Sequence, residues 1–420
     1  MKGTGSVGES LILWAFGGLV ATCGLLVWLE LGLTIPLRIV PDHANTGLKS
    51  VPRSGGEKNY VSSACYLPLR RHFIDSLKLE FIYSDSCKAS PKFLVTCMYG
   101  IRFILLGSLP SEAVAFGSYV MSAAGRPDPA QGSIVGLALG AITMAVLLHV
   151  GSWRGSILMS NWFATTKVLF LVLIIILGFT AQLHGVTSAT ENFDIHSSFS
   201  TDRHKAGGAG GFFSSLCFIL YTYSGFEQPF YVLSEVAHPR KTFPRTTLFA
   251  MLLTTILFVL VNIAYLCAVP KDSDGLPQAH DMATLFFSHI FGDRNTSRRA
   301  TDGIIAFSIF GNILVATFTA ARVNQEIAKE GILPFSLFFA TSHPTPSAWL
   351  QSKMNPLQYG YRYQEHTPMA ALGLHWLVRL SSSGQQVWSN LQRLTSSSCF
   401  FIVILPSSSM GSWFPVDSSI

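Results

Sequence analysis

The chain has 420 residues, 49% of them hydrophobic and only 12% charged, against roughly a quarter charged in an ordinary soluble domain. These figures exclude a disordered chain and argue against a soluble enzyme. The net charge of +6 is spread between apolar runs and forms no single stripe, so the basic residues bear on membrane topology, not on nucleic-acid binding.

A span needs about 20 largely apolar residues to cross the hydrocarbon core. In chain order the predicted spans are 11–36, 93–121, 133–151, 157–183, 211–236, 246–269 and 303–321. An apolar start at 367–380 is too short to cross, and Cys399 to Leu405 is shorter still. The expected class is therefore an all-α polytopic membrane protein. Met1 to Glu9 does not read as a signal peptide, because Lys2 leads into a run too long for one. The loops after the first, third, fifth and seventh spans carry 17 Lys and Arg, and the opposite loops 7. The richer set is expected to be cytoplasmic, which puts the sequon Asn295-Thr296-Ser297 outside. Gly132, Gly136 and Gly140 repeat every four residues on the third span, a spacing that lets helix backbones approach closely in lipid.

The fifth span carries the most chemistry. In Leu220-Tyr221-Thr222-Tyr223-Ser224-Gly225-Phe226-Glu227-Gln228-Pro229, Gly225 weakens the helix and Pro229 removes a backbone donor. A helix broken at membrane depth survives where its freed backbone groups line a cavity or find partners, the usual setting for small charged solutes in secondary transporters. A kinked packing helix is the plainer alternative. Glu227 favours the cavity, since an ionisable group at that depth is costly. Lys167, in the fourth span, either snorkels to the interface or is a buried ammonium able to couple transport to protons. Arg102 and Glu112 stand too far apart for a one-turn helical pair and read as packing or cavity groups.

Other chemistries lack their signatures. No Walker A sequence points to ATP, and Gly207-Gly208-Ala209-Gly210-Gly211 lacks GxGxxG spacing. No HExxH or GxSxG supports an intramembrane enzyme. The seven cysteines show no CxxC or Cys/His spacing, so no disulfide scaffold, metal site or cofactor is expected.

Tyr223-Ser224-Gly225-Phe226, Val232-Leu233-Ser234-Glu235-Val236 and His238-Pro239-Arg240-Lys241-Thr242-Phe243-Pro244-Arg245 resemble the sixth helix and following loop of amino acid–polyamine–organocation permeases, above all fungal methionine permeases and L-type transporters. Three further stretches agree in order: Glu30-Leu31-Gly32 with Arg53-Ser54-Gly55-Gly56-Glu57-Lys58-Asn59-Tyr60; Thr166-Lys167-Val168; and Arg322 with Ala328-Lys329-Glu330-Gly331-Ile332-Leu333-Pro334. The resemblance implies a five-plus-five inverted-repeat fold with broken first and sixth helices. It implies uptake of a neutral amino acid such as methionine with a proton, in a multi-pass protein of the plasma membrane. By position, Tyr221 takes the place of the aromatic gate, Ser224 and Gly225 lie at the helix break, Phe226 stands where the family usually has Trp, and Glu227 holds a substrate-side polar position. Lys167 matches the lysine that fills a cation site in proton-coupled members.

Against that pattern residues 1–380 are read as the permease domain, lacking the family's first and last helices. Residues 37–52 and 61–78 interrupt its signatures, as loop insertions or introns translated in frame. Residues 381–420 read as a Ser-rich tail without helical periodicity. The two functional readings are an amino acid permease in truncated form and a non-transporting membrane protein, a sensor or an inactive fragment.

Overall fold

A computed structural model describes residues 6–34, 37–41, 48–52, 54–66, 94–101, 109–126, 129–183, 208–236, 239–269, 282–331, 333–347 and 366–393, with a few single positions between. Among the described residues five helices are long and apolar enough to cross a membrane. They are α1 (Val7–Thr34), α5 (Gln131–Gly151), α6 (Trp153–Leu183), α8 (Pro239–Ala268) and α10 (Arg294–Ala328). Between them lie α2 (Glu57–Tyr66), α3 (Leu94–Gly100), α4 (Leu109–Ala123), α7 (Gly208–Thr222) and α9 (Met282–Phe291). After α10 come α11 (Ser336–Ala340) and α12 (Met369–Arg393). Two short antiparallel ribbons pair β1 (Leu37–Pro41) with β2 (Leu48–Pro52), and β3 (His343–Pro344) with β4 (His366–Thr367).

The helices gather into two groups. In the first, α1 packs with α7 and α8 around Leu13, Leu25, Ile219, Phe230, Leu233 and Met251. In the second, α4, α5 and α10 share a core of Ala113, Ala138, Ile142, Ile313 and Leu314, to which α6 adds Phe163. Farther along, α6 sets Ile174 against Val261 of α8 and Phe286 of α9. The crossing of α6 and α8 is made close by Gly178, where a Cβ would fall 2.7 Å from the Ala264 carbonyl oxygen. In lipid, contacts of this kind hold helices together by packing, with no water to squeeze out.

His149 ties three elements of the second group. One ring nitrogen lies 2.5 Å from Ser156 Oγ at the start of α6, and the other 2.9 Å from the Leu314 carbonyl of α10. At the opposite end of the bundle, Asp293 caps α10. The Thr296 hydroxyl, with the Asn295 amide, holds its carboxyl below the usual carboxylate range.

Several expectations are corrected. Within the predicted span 93–121 the described residues form α3 and α4, with helical Ile101 and Ile104 between them, and Arg102 lies outside the described residues. The helix begun at 367–380 does not stop at Leu380: α12 runs through Ser381-Ser382-Ser383-Gly384 to Arg393. Serines are only mildly poor helix formers, and Gln, Leu and Arg beyond them keep the helix going. Gly132, Gly136 and Gly140 make no close crossing, since an added Cβ would meet nothing within 4 Å. The 37–52 stretch, polar and aperiodic in sequence, holds the β1–β2 ribbon, paired from Leu37↔Pro52 to Pro41↔Leu48.

Candidate functional site

The helix that begins as α7 ends at Thr222 and resumes as a tighter turn of 3-10 helix over Gln228–Glu235. Gly225 sits between the two at φ +110°, a conformation that strains any residue with a Cβ. Among the described residues nothing comes within 4 Å of where its Cβ would stand, so the backbone is open on that side. Pro229 lies in the first turn of the second segment, where its missing N–H costs nothing.

The residues around the break divide by task. Glu227 Oε2 accepts the Gly225 N–H at 2.9 Å, so this carboxylate satisfies a donor freed by the break. The Ser224 hydroxyl donates to the Tyr221 carbonyl at 2.7 Å. Tyr221 is about half exposed beside this opening. Phe226 turns the other way, toward α1, with its ring over Gly24 and edge-on to Trp28. Tyr223 is buried and donates its hydroxyl to the Trp14 carbonyl at 3.0 Å. Of the five sequence-predicted residues of this segment, Phe226 packs against α1, Glu227 holds the Gly225 amide and Ser224 bonds the Tyr221 carbonyl.

A polar link joins the break to the second helix group, and another ties two helices within that group. Thr319 of α10 donates to Gln228 Oε1 at 2.7 Å. Lys167 of α6 donates to Asn312 Oδ1 of α10 at 2.6 Å, its stem against Gly311. Glu112 of α4 is close enough to act electrostatically on both Lys167 and Tyr221. Lys167 thus points into the bundle toward α10. Asn312 and Gln228 escape the sequence reading; the one available signal was a lone amide in an otherwise apolar run, Phe310-Gly311-Asn312-Ile313.

Below the break the second segment is fixed in place. Phe230 and Leu233 are fully buried, and Trp28 contacts Phe230, Tyr231 and Tyr60. Tyr231 donates to Glu57 Oε1 at 3.1 Å. The neighbouring Lys58, entirely buried, makes an ion pair with Glu330 just past the end of α10. Gly56 at φ +55° brings the backbone against the Tyr231 ring. Burial, with Glu57 beside it, pushes the Tyr60 hydroxyl up from its ordinary value. The signature 54–60 therefore clamps three elements together: the end of α1, the 3-10 segment and the end of α10.

A sequence profile described as amino acid permease matches residues 44–410. The chain belongs to the amino acid permease family. The match includes 61–78 and runs past 380, beyond the point where the sequence reading ended the family pattern. The high-affinity methionine permease of Saccharomyces cerevisiae is 28% identical over 343 residues, covering 81% of this chain and 51% of that protein. The low-affinity methionine permease of the same organism is 24% identical, covering 79% and 53%. The human b(0,+)-type amino acid transporter 1 is 27% identical, covering 79% and 58%. The chain thus spans about half the length of the curated relatives it matches. Family and helices together make it a multi-pass membrane protein of a transporter family.

Proposed function

We propose that the chain works in secondary transport of a neutral amino acid such as methionine, with a proton as the coupling ion and no ATP. The observation that carries this is the break at Gly225, open on one side and linked on the other to α10 through Gln228 and Thr319. Half-helix ends present partial charges and free backbone groups suited to a zwitterion. Tyr221 borders the opening as the aromatic gate, and Ser224, Gly225 and Phe226 shape it. Glu227 preserves the break by holding the Gly225 amide. Lys167 is the group that exchanges a proton, with Asn312 accepting from its ammonium form and Glu112 biasing its charge. Methionine as substrate rests on the two yeast relatives.

The experiment is uptake of labelled methionine and other neutral amino acids into proteoliposomes under an inward proton gradient. Uptake that the gradient drives, and that Lys167→Met uncouples from it, supports the reading. Binding of the amino acid without uptake points to the sensor alternative. Neither binding nor uptake would sink both.

A further inference from the structure

Past the end of α10 the chain turns back at Gly331 and forms α11, none of whose residues is buried. Gln325 ties this return in place by donating to the Ala340 carbonyl at 3.0 Å and to Ser342 Oγ at 2.7 Å. Gln325 lies one turn beyond Arg322, where the apolar run of α10 gives way to polar sequence. The end of α11 is therefore held near the boundary between the apolar and polar zones of the bundle.

The β3–β4 pair then sets the start of α12 beside this return. A groove of about 440 Å³ opens between Phe338, Phe339 and His343 on one side and Met369, Gly373 and Leu377 on the other. The three α12 residues are spaced four apart, so they form one stripe rising about 12 Å along the helix. Gly373 contributes no side chain, and an added Cβ would meet nothing within 4 Å, which keeps the floor of the groove open. The next residue but two, Trp376, donates to Thr143 Oγ1 of α5 at 3.1 Å. Thr143 is near the middle of a membrane-spanning helix. The groove thus starts beside the polar boundary, and its far end at Leu377 adjoins a residue bonded to the middle of α5. Its rim stays exposed: Phe338 is 59% accessible, Leu377 60% and Leu337 84%. Between β3 and β4 in the chain, Lys353 lies over the Trp349 ring at 4.3 Å, the aromatic-plus-cation pairing found where a protein meets the headgroup layer.

We propose that this groove binds one acyl chain of a phospholipid from the adjoining leaflet, and that α11 lies in the interface as its lip. The orientation, depth and apolar lining suit a hydrocarbon chain lying along the membrane normal. A peptide strand there would leave its backbone polar groups without partners. The exposed face of Leu337 and Phe338 enters the headgroup boundary as the apolar face of an interfacial helix does.

The test uses the full chain in phosphatidylcholine nanodiscs, with its native cysteines replaced. A polarity-sensitive fluorophore is placed at Phe338→Cys, Leu377→Cys or, as a water-exposed reference, Arg294→Cys. Nitroxides carried high or midway on the lipid acyl chain serve as quenchers. The expected result is several-fold stronger quenching at Phe338 and Leu377 than at Arg294. Phe338 should respond most to the high nitroxide and Leu377 to the midway one. Gly373→Phe, which plugs the groove, should lower the phospholipid retained after purification by one per chain, whereas Gly373→Ala should not. Fluorophores that are shielded from water yet unquenched by lipid would mean that protein covers the groove. That result, or water exposure equal to Arg294, overturns the proposal.

Discussion

Two neighbouring stretches of the same broken helix are built in opposite ways. Around Gly225 the backbone is held by a carboxylate two residues away and by local bonds from Ser224 and Gln228, and no described residue stands where a Cβ would point. A few residues later Phe230, Tyr231 and Leu233 are buried and clamped by the 54–60 signature and the end of α10. The difference shows where adjustment can occur. A ligand at Gly225 meets backbone that has few contacts to give up, while the segment below is held by side chains that would have to leave together. Elements drawn from the low-stability end of a fold are the ones that respond to ligand.

The largest effect is expected from the clamp. Lys58→Met leaves Glu330 without its buried cation and should cost about 3–5 kcal/mol, read as a lower thermal midpoint in detergent. Lys58→Met with Glu330→Met should recover part of that loss. An unchanged midpoint for the single variant would erase the contrast between the two stretches. Next comes the break itself. Gly225→Val forces a β-branched residue into positive φ and should cost about 1–3 kcal/mol. Its expected signature is the reverse of the clamp variant: a smaller stability loss and a larger loss of uptake. Thr319→Val removes the hydroxyl that donates to Gln228 and should cost about 0.5–1.5 kcal/mol by the same thermal readout. The smallest effect belongs to the open glycines. Gly136→Ala should shift stability by no more than about 1 kcal/mol, and upward, because alanine loses less chain entropy in a helix. Gly178→Ala at the tight α6–α8 crossing should go the other way.

The helical membrane class was legible from composition and from runs of apolar residues, which depend only on the chain itself. The break at Gly225 was legible for the same reason: Gly and Pro act locally on the backbone. What the break is linked to was not legible. Asn312 and Thr319 are polar residues in an apolar run, and sequence offers no means of telling which helix they face. The glycine ladder on α5 shows the same limit from the other side. The spacing that predicts close approach is present, but no described residue comes within 4 Å of where a Cβ would stand. Glu227 shows that a charge within a predicted span has a reason without telling which one; the structure gives this half-buried carboxylate a backbone partner. The course of α12 past Leu380 was missed because serines were read as a terminus, when their helix cost is small.

The ion pair between Lys58 and Glu330 joins residues 272 apart in the sequence. During synthesis the lysine exists long before its partner, through the making of α4 to α10. Until residue 330 emerges, the segment that holds Lys58 has its contacts to α1 and the 3-10 segment but not its ion pair, so its final docking belongs to the late steps of assembly. A contact that closes so large a loop is also slow to form by chance. The clamp is thus a checkpoint on biogenesis: the lower half of the broken helix, already packed on α1 and α8, gains its last fixing contact only once α10 has been threaded into the membrane and its end has arrived.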